Sequence, residues 1–113
     1  MKYLALAALI AASPALASPP SASLQASIRA DLESKMRDAR SARFIWPDVA
    51  SPRVYCGFIN GRNAMGAYVG YRLFYAITDG GRIDVQIQGT GIVGDLAPRI
   101  CADAGYPISP SAI

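Results

Sequence analysis

Few kinds of side chain in this chain could carry out chemistry. There is no histidine, which excludes Ser-His-Asp and Cys-His catalysis and the usual histidine-rich metal sites. The carboxylates are Asp31, Glu33, Asp38, Asp48, Asp79, Asp84, Asp95 and Asp103, and no two are placed by their spacing as a glycosidase-like acid/base pair. Cys56 and Cys101 are the only cysteines. Without a C-x-x-C spacing or a histidine partner they point to a structural bridge rather than to redox or zinc chemistry. Gly89, Gly91 and Gly94 spell G-x-G-x-x-G. That fingerprint needs a βαβ setting and a later acidic ribose contact, and this stretch offers neither. No catalytic residue, metal ligand or cofactor is expected. An enzyme working with Asp beside Tyr or Arg alone, built around Asp48 or Asp84, stands as the alternative.

Binding chemistry is better represented. Between Val54 and Arg72 the chain is dense in Asn, Gly and Tyr. Asn60, Arg62, Asn63, Tyr68 and Arg72 form the candidate binding surface. Tyr68, with Phe74, would supply an aromatic platform, the asparagines amide groups and the arginines directed donors. Gly66 and Gly70, two residues to either side of Tyr68, would leave its ring uncovered if all three share one sheet face. The competing reading is architectural: Asn60-Gly61-Arg62-Asn63 makes a tight turn, and the glycines permit twist or a bulge.

The elements that must hold these residues follow from periodicity. Leu24, Ile28, Leu32 and Met36 recur every four residues and predict a helix over 23–40. Asp31–Lys35 and Glu33–Arg37 are acid-before-base pairs at i,i+4, and Arg37, Arg40 and Arg43 would sit at the helix's negative end. Phe44-Ile45-Trp46 before Pro47 suits a short edge strand. Period-two patterning predicts strands over 53–59, 67–77 and 82–88, with Ile83, Val85 and Ile87 inward and Asp79-Gly80-Gly81 as a turn. Asp95 as N-cap, Pro98 in the first turn and Gly105 as stop predict a second helix that buries Leu96, Ile100, Cys101 and Ala104. The expected fold class is α+β: an N-terminal helix, an antiparallel meander of three to four strands and a C-terminal helix, with both helices on one sheet face and one disulfide, Cys56–Cys101.

Size and charge narrow the partners. Lys2, the apolar run 3–12 and the small-x-small end Ala15-Leu16-Ala17 match a secretory signal peptide, residues 1–17. The apolar run is too short to span a bilayer, so no stable membrane anchor is expected after cleavage. A flexible leader, 18–22, and a single domain, 23–113, would follow in the periplasm or outside the cell. A body of just under a hundred residues is marginal without a staple, and an oxidising compartment allows one. The net charge is +3, one unit of it from Lys2. The remaining charges alternate in sign, so no nucleic-acid partner is expected, and a protein or cell-envelope component suits the surface better.

Two stretches carry a resemblance. Asp38-Ala39-Arg40-Ser41-Ala42-Arg43-Phe44 resembles D-P-x-S-A-x-F, and the run from Val54 to Tyr71 resembles V-x-C-G-x-V-N-x-K-N-x-x-G-G-Y-x-G-[FY]. In that order the pair is similar to a group of small exported bacterial proteins. The chain departs from the pattern at Ala39, Arg62 and Ala67, where the group has proline, lysine and glycine. The resemblance implies a periplasmic or secreted domain and carries over no activity.

Overall fold

A computed structural model describes residues 17–78 and 81–113. The expected signal peptide, up to residue 16, and Asp79 and Gly80 of the expected turn lie outside the described residues. The α+β class is as expected: two helices and a four-stranded antiparallel sheet whose strands lie side by side in chain order. Among the described residues, no helix is long and apolar enough to cross a membrane.

Helix α1 (Ala22–Glu33) starts where the Ser21 hydroxyl accepts the Leu24 N–H, an N-cap that satisfies one of the helix's orphan donors. Of the segment expected as a leader, the Ser18 carbonyl accepts the Val49 N–H and Pro20 is buried. The helix stops seven residues short of the expected Arg40. The Ser34 hydroxyl donates to the Asp31 carbonyl at 2.6 Å, a local bond that competes with helical continuation. Only the first i,i+4 pair forms: Lys35 Nζ lies 2.8 Å from Asp31, while Arg37 is outside the helix. A single 3-10 turn at Ala39–Ser41 then leads into β1 (Arg43–Ile45), so Arg37, Arg40 and Arg43 do not complete a helix end.

Strand β2 (Val54–Asn60) is buried at all seven positions, so both sheet faces are covered. The register pairs Gly57 with Phe74 and Cys56 with Tyr75 of β3 (Arg72–Ile77), and Ala76 with Val85 of β4 (Asp84–Ile87). One face therefore carries Tyr55, Gly57, Ile59, Phe44, Arg72, Phe74, Val85 and Ile87. The other carries Cys56, Phe58, Leu73 and Tyr75. The Arg29 guanidinium lies over Phe44 and Trp46, which puts α1 on the first face. The Cys56–Cys101 bridge puts α2 (Ala97–Asp103) on the second. The helices thus sandwich the sheet, instead of sharing one face as expected from the sequence.

The first face is an aromatic core. Phe74 is fully buried, edge-on to Phe44 and Trp46, which stack on each other at 4.6 Å. Gly57 makes this possible: a Cβ there would stand 2.9 Å from the Phe74 ring and 3.0 Å from the Ile45 carbonyl. Tyr55 donates to the Pro47 carbonyl at 2.6 Å. Burial, with Tyr106 and Asp48 nearby, pushes its hydroxyl far above the ordinary phenol range. Tyr106 donates to the Val54 carbonyl at 2.8 Å and packs edge-on to Tyr55.

On the second face, Tyr75 donates to the Val93 carbonyl at 2.8 Å and so ties down the glycine-rich loop before α2. That loop needs its glycines for backbone reasons. Gly89 and Gly91 have φ of +93° and +125°, and a Cβ on Gly94 would fall 2.1 Å from the Ile87 carbonyl oxygen. Asp95 is not the N-cap of α2. Its carboxylate accepts the Gly89 N–H at 3.0 Å, and the residue lies in a 3-10 turn, Gly94–Leu96, ahead of the helix. Because the helix presents Ala97 and Cys101 inward, Leu96 falls off the buried stripe and is exposed, while Ile100 and Ala104 are half-buried. Gly105, at φ +91°, ends the helix as expected.

At the sheet's β4 edge, Lys35 bridges three acceptors: Asp31, Asp84 and the Val85 carbonyl at 2.7 Å. Asp31 also accepts the Val85 N–H at 2.9 Å. Burial draws the Lys35 ammonium downward, but hydrogen bonds to Asp31 and Asp84 outweigh it and hold the group above its ordinary value. The Lys35 bond, helped by Gln86, keeps the Asp84 carboxyl below the usual range.

Candidate functional site

The residues singled out from the sequence gather at the end of the sheet where β2 leaves and β3 returns, but not on a continued strand. β3 begins at Arg72, so 61–71 is an excursion from the sheet. Within it Arg62 pairs with Tyr68 as an isolated bridge, the Asn63 N–H donates to the Ala67 carbonyl, and Gly66 donates back to Asn63. Gly66 and Gly70 have φ of +81° and +104°, left-handed values that break an extended path and that glycine adopts without steric cost. The expected flat face of Gly66, Tyr68, Gly70, Arg72 and Phe74 therefore does not exist. Phe74 is sealed in the core, and Tyr68 is half-buried.

Each sequence-predicted residue has a definite place. Asn60 is buried, and its side-chain oxygen accepts the Gly70 N–H at 2.9 Å. Asn63 accepts the N–H groups of Met65 and Ala67 at 2.9 and 3.1 Å, an Asx arrangement that shapes the turn. Tyr68 donates to the Ser41 carbonyl at 2.7 Å and so fastens the excursion to the segment before β1. Two guanidiniums lie over its ring, Arg43 at 4.0 Å and Arg62 at 5.1 Å from the centroid, a favourable use of the ring's negative face. Tyr68 thus positions arginines and is not a bare platform.

Beside this Arg–Tyr–Arg stack the surface is concave. A hollow of about 290 Å³ lies on the Ile59 face of the sheet. Its apolar lining comes from Met36, Ile59, Val69 and Ile87, and its polar lining from Arg62, Asn63, Arg72 and Thr90. Cross-strand register brings this set together: Ile59 stands opposite Arg72, and Ile87 opposite Phe74. Gly61 and Gly70 add backbone only. Of the five expected surface residues, Arg62, Asn63 and Arg72 line the hollow, whereas Asn60 and Tyr68 support it from behind. Met36, Ile59, Val69, Ile87 and Thr90 had not been expected in the site. Alternation marked Ile87 as inward-facing, but only the register shows that it meets Ile59 and Arg72 across the sheet.

The electrostatics are one-sided. Among the described residues, the ion pairs are those of Lys35 with Asp31 and Asp84, and neither Arg62 nor Arg72 has one. Both are exposed. Arg62 lies over Tyr68, and the Arg72 Nη1 lies 3.5 Å from where a Cβ on Gly89 would stand, space that glycine leaves open. No family model matches this chain, and neither the curated proteins nor the solved structures compared with it give a match.

Proposed function

We propose that the chain is a small binding domain, exported through residues 1–17, whose ligand meets the hollow beside the 61–71 excursion. The observation that carries this reading is a pair of arginines, without a carboxylate partner among the described residues, next to an apolar concavity. Exposed guanidiniums with no acidic partner of their own are free to take one from outside. The Cys56–Cys101 bridge supports an oxidising compartment, in line with the resemblance to small exported bacterial proteins, and a protein or cell-envelope component is the partner. A histidine-free enzyme would need Asp48 or Asp84 beside two arginines. Neither lines the hollow, Asp84 being held by Lys35 at 2.8 Å. The arginines nearer the helix end, Arg37 and Arg40, share a second hollow with Glu33 and Asp38, a mixture of charge that does not track phosphates.

Isotope-labelled protein expressed from the full sequence tests the reading by amide chemical-shift mapping. The probes are detergent-solubilised envelope proteins and, separately, the extracted lipids of the same envelope. Shifts confined to 59–72 and 87–90, and lost in Arg62→Ala/Arg72→Ala, are expected with one of the two. Shifts that map to α2, or none with either fraction, would overturn it.

A further inference from the structure

We infer that the hollow takes an amphiphilic anion: one oxyanion head shared by Arg62 and Arg72, with a short apolar tail laid on Met36, Ile59, Val69 and Ile87. This deepens the binding-domain reading and rests on it. The Asn63 carbonyl oxygen is already taken by the backbone N–H groups of Met65 and Ala67, so its NH2 is the group it can offer. The Thr90 hydroxyl proton goes to the Ile87 carbonyl. The Gly70 N–H goes to Asn60. What remains unpartnered is the donor side of Arg62, Arg72 and Asn63, with no acidic residue in the lining. Such a set suits an acceptor-only group carrying negative charge.

The apolar half of the lining rules out a small, fully hydrated anion as the best fit, because a bare anion would leave that surface wet. The volume sets the size of the tail. A hollow of about 290 Å³ holds roughly ten water-sized groups, which corresponds to an eight-carbon chain with its carboxylate. A carboxylate and a phosphate monoester share the required chemistry, and the fork of a guanidinium fits either.

Calorimetric titration of the full chain at low ionic strength tests this with octanoate, octyl phosphate, 1-octanol and acetate. Octanoate or octyl phosphate should bind, and the tighter of the two assigns the head group. Octanol, which lacks the charge, and acetate, which lacks the tail, should each bind about tenfold or more weakly. Arg62→Gln/Arg72→Gln should lose about tenfold or more. Val69→Asp, which sets a carboxylate into the hollow from an exposed loop position, should abolish binding, with unchanged thermal unfolding showing that the fold survives. Equal affinity for octanol would remove the arginines from the site, and equal affinity for acetate would remove the hollow; either overturns the inference. So would silence from both amphiphiles at about 10 mM, far above the concentration at which a two-arginine contact should register. If the amphiphiles are silent while envelope protein still shifts 59–72, the amphiphile site falls and the binding domain stands. If both are silent, both fall.

Discussion

Breaking the Cys56–Cys101 bond is the most informative perturbation of this fold. The bridge closes a segment of 45 residues that contains most of β2, the 61–71 excursion, β3, β4 and the glycine-rich loop. In the chain-entropy description, a loop of that length restricts the unfolded chain by about 4 kcal/mol at room temperature. For a domain of this size, a loss of that order would lower the melting temperature by about 15–30 °C. It is also a large share of the 5–15 kcal/mol typical of natural domains. Both sulfurs are wholly buried, so reductant reaches them only through unfolding; reduction should therefore be slow in buffer and fast in urea. Urea unfolding of oxidised protein and of protein reduced and refolded, with thiols left free, separates the entropic effect from any cavity. Cys56→Ala/Cys101→Ala should be less stable still, because each alanine leaves a void where sulfur packed between α2 and β2. A reduced form within about 1 kcal/mol of the oxidised one, at equal urea dependence, would show that the sheet and α2 hold each other without the bond.

Two further substitutions test contacts that the backbone makes obligatory or that charge makes conditional. Gly94→Ala places a methyl 2.1 Å from the Ile87 carbonyl and 2.8 Å from the Thr90 hydroxyl; a loss of about 1–3 kcal/mol in urea unfolding is expected, and an unchanged midpoint would show that the loop can move. Lys35→Met should cost about 1 kcal/mol near neutral pH, the range for a partly exposed ion pair. The pH dependence of that cost follows from both partners. Asp84, lowered from 3.8, contributes in full above that value and loses its contribution as pH falls through its folded pKa. Lys35, raised from 10.5, contributes in full below that value and loses its contribution as pH rises through its folded pKa. The difference between wild type and variant should hence be flat from about pH 5 to about pH 10 and shrink on both sides; a difference that grows toward acid would contradict the assignment.

Much of the fold was legible because single residues carry unambiguous physical meaning. Two cysteines admit one intramolecular pairing, Gly105 stops a helix wherever φ must turn positive, and the alternation around Val85 marks a half-covered strand. What stayed hidden depended on competition or on register. Met36 continues the apolar stripe of α1 in period, yet the chain turns at Ser34, where a hydroxyl–carbonyl bond and the pull of Asp84 on Lys35 prevail over helix propensity. Residues 67–71 alternate like a strand, but Gly70 bends the path, so Tyr68 meets Arg43 and Arg62 rather than solvent. The hollow needs Ile59, Arg72 and Ile87 from three strands at once, and no spacing along the chain encodes that juxtaposition. Arg62, Asn63 and Arg72 stood out by type within a stretch dense in Asn, Gly and Tyr; their apolar neighbours resemble any other core residue.

The side chains of Asp31 and Lys35 occupy both main-chain groups of Val85 that face away from the sheet. A foreign strand approaching β4 would find the donor and acceptor at its centre already engaged, and the opposite margin, β1, is three residues long and followed by a proline. Both described edges of the sheet are therefore poor templates on which copies could stack into fibrils.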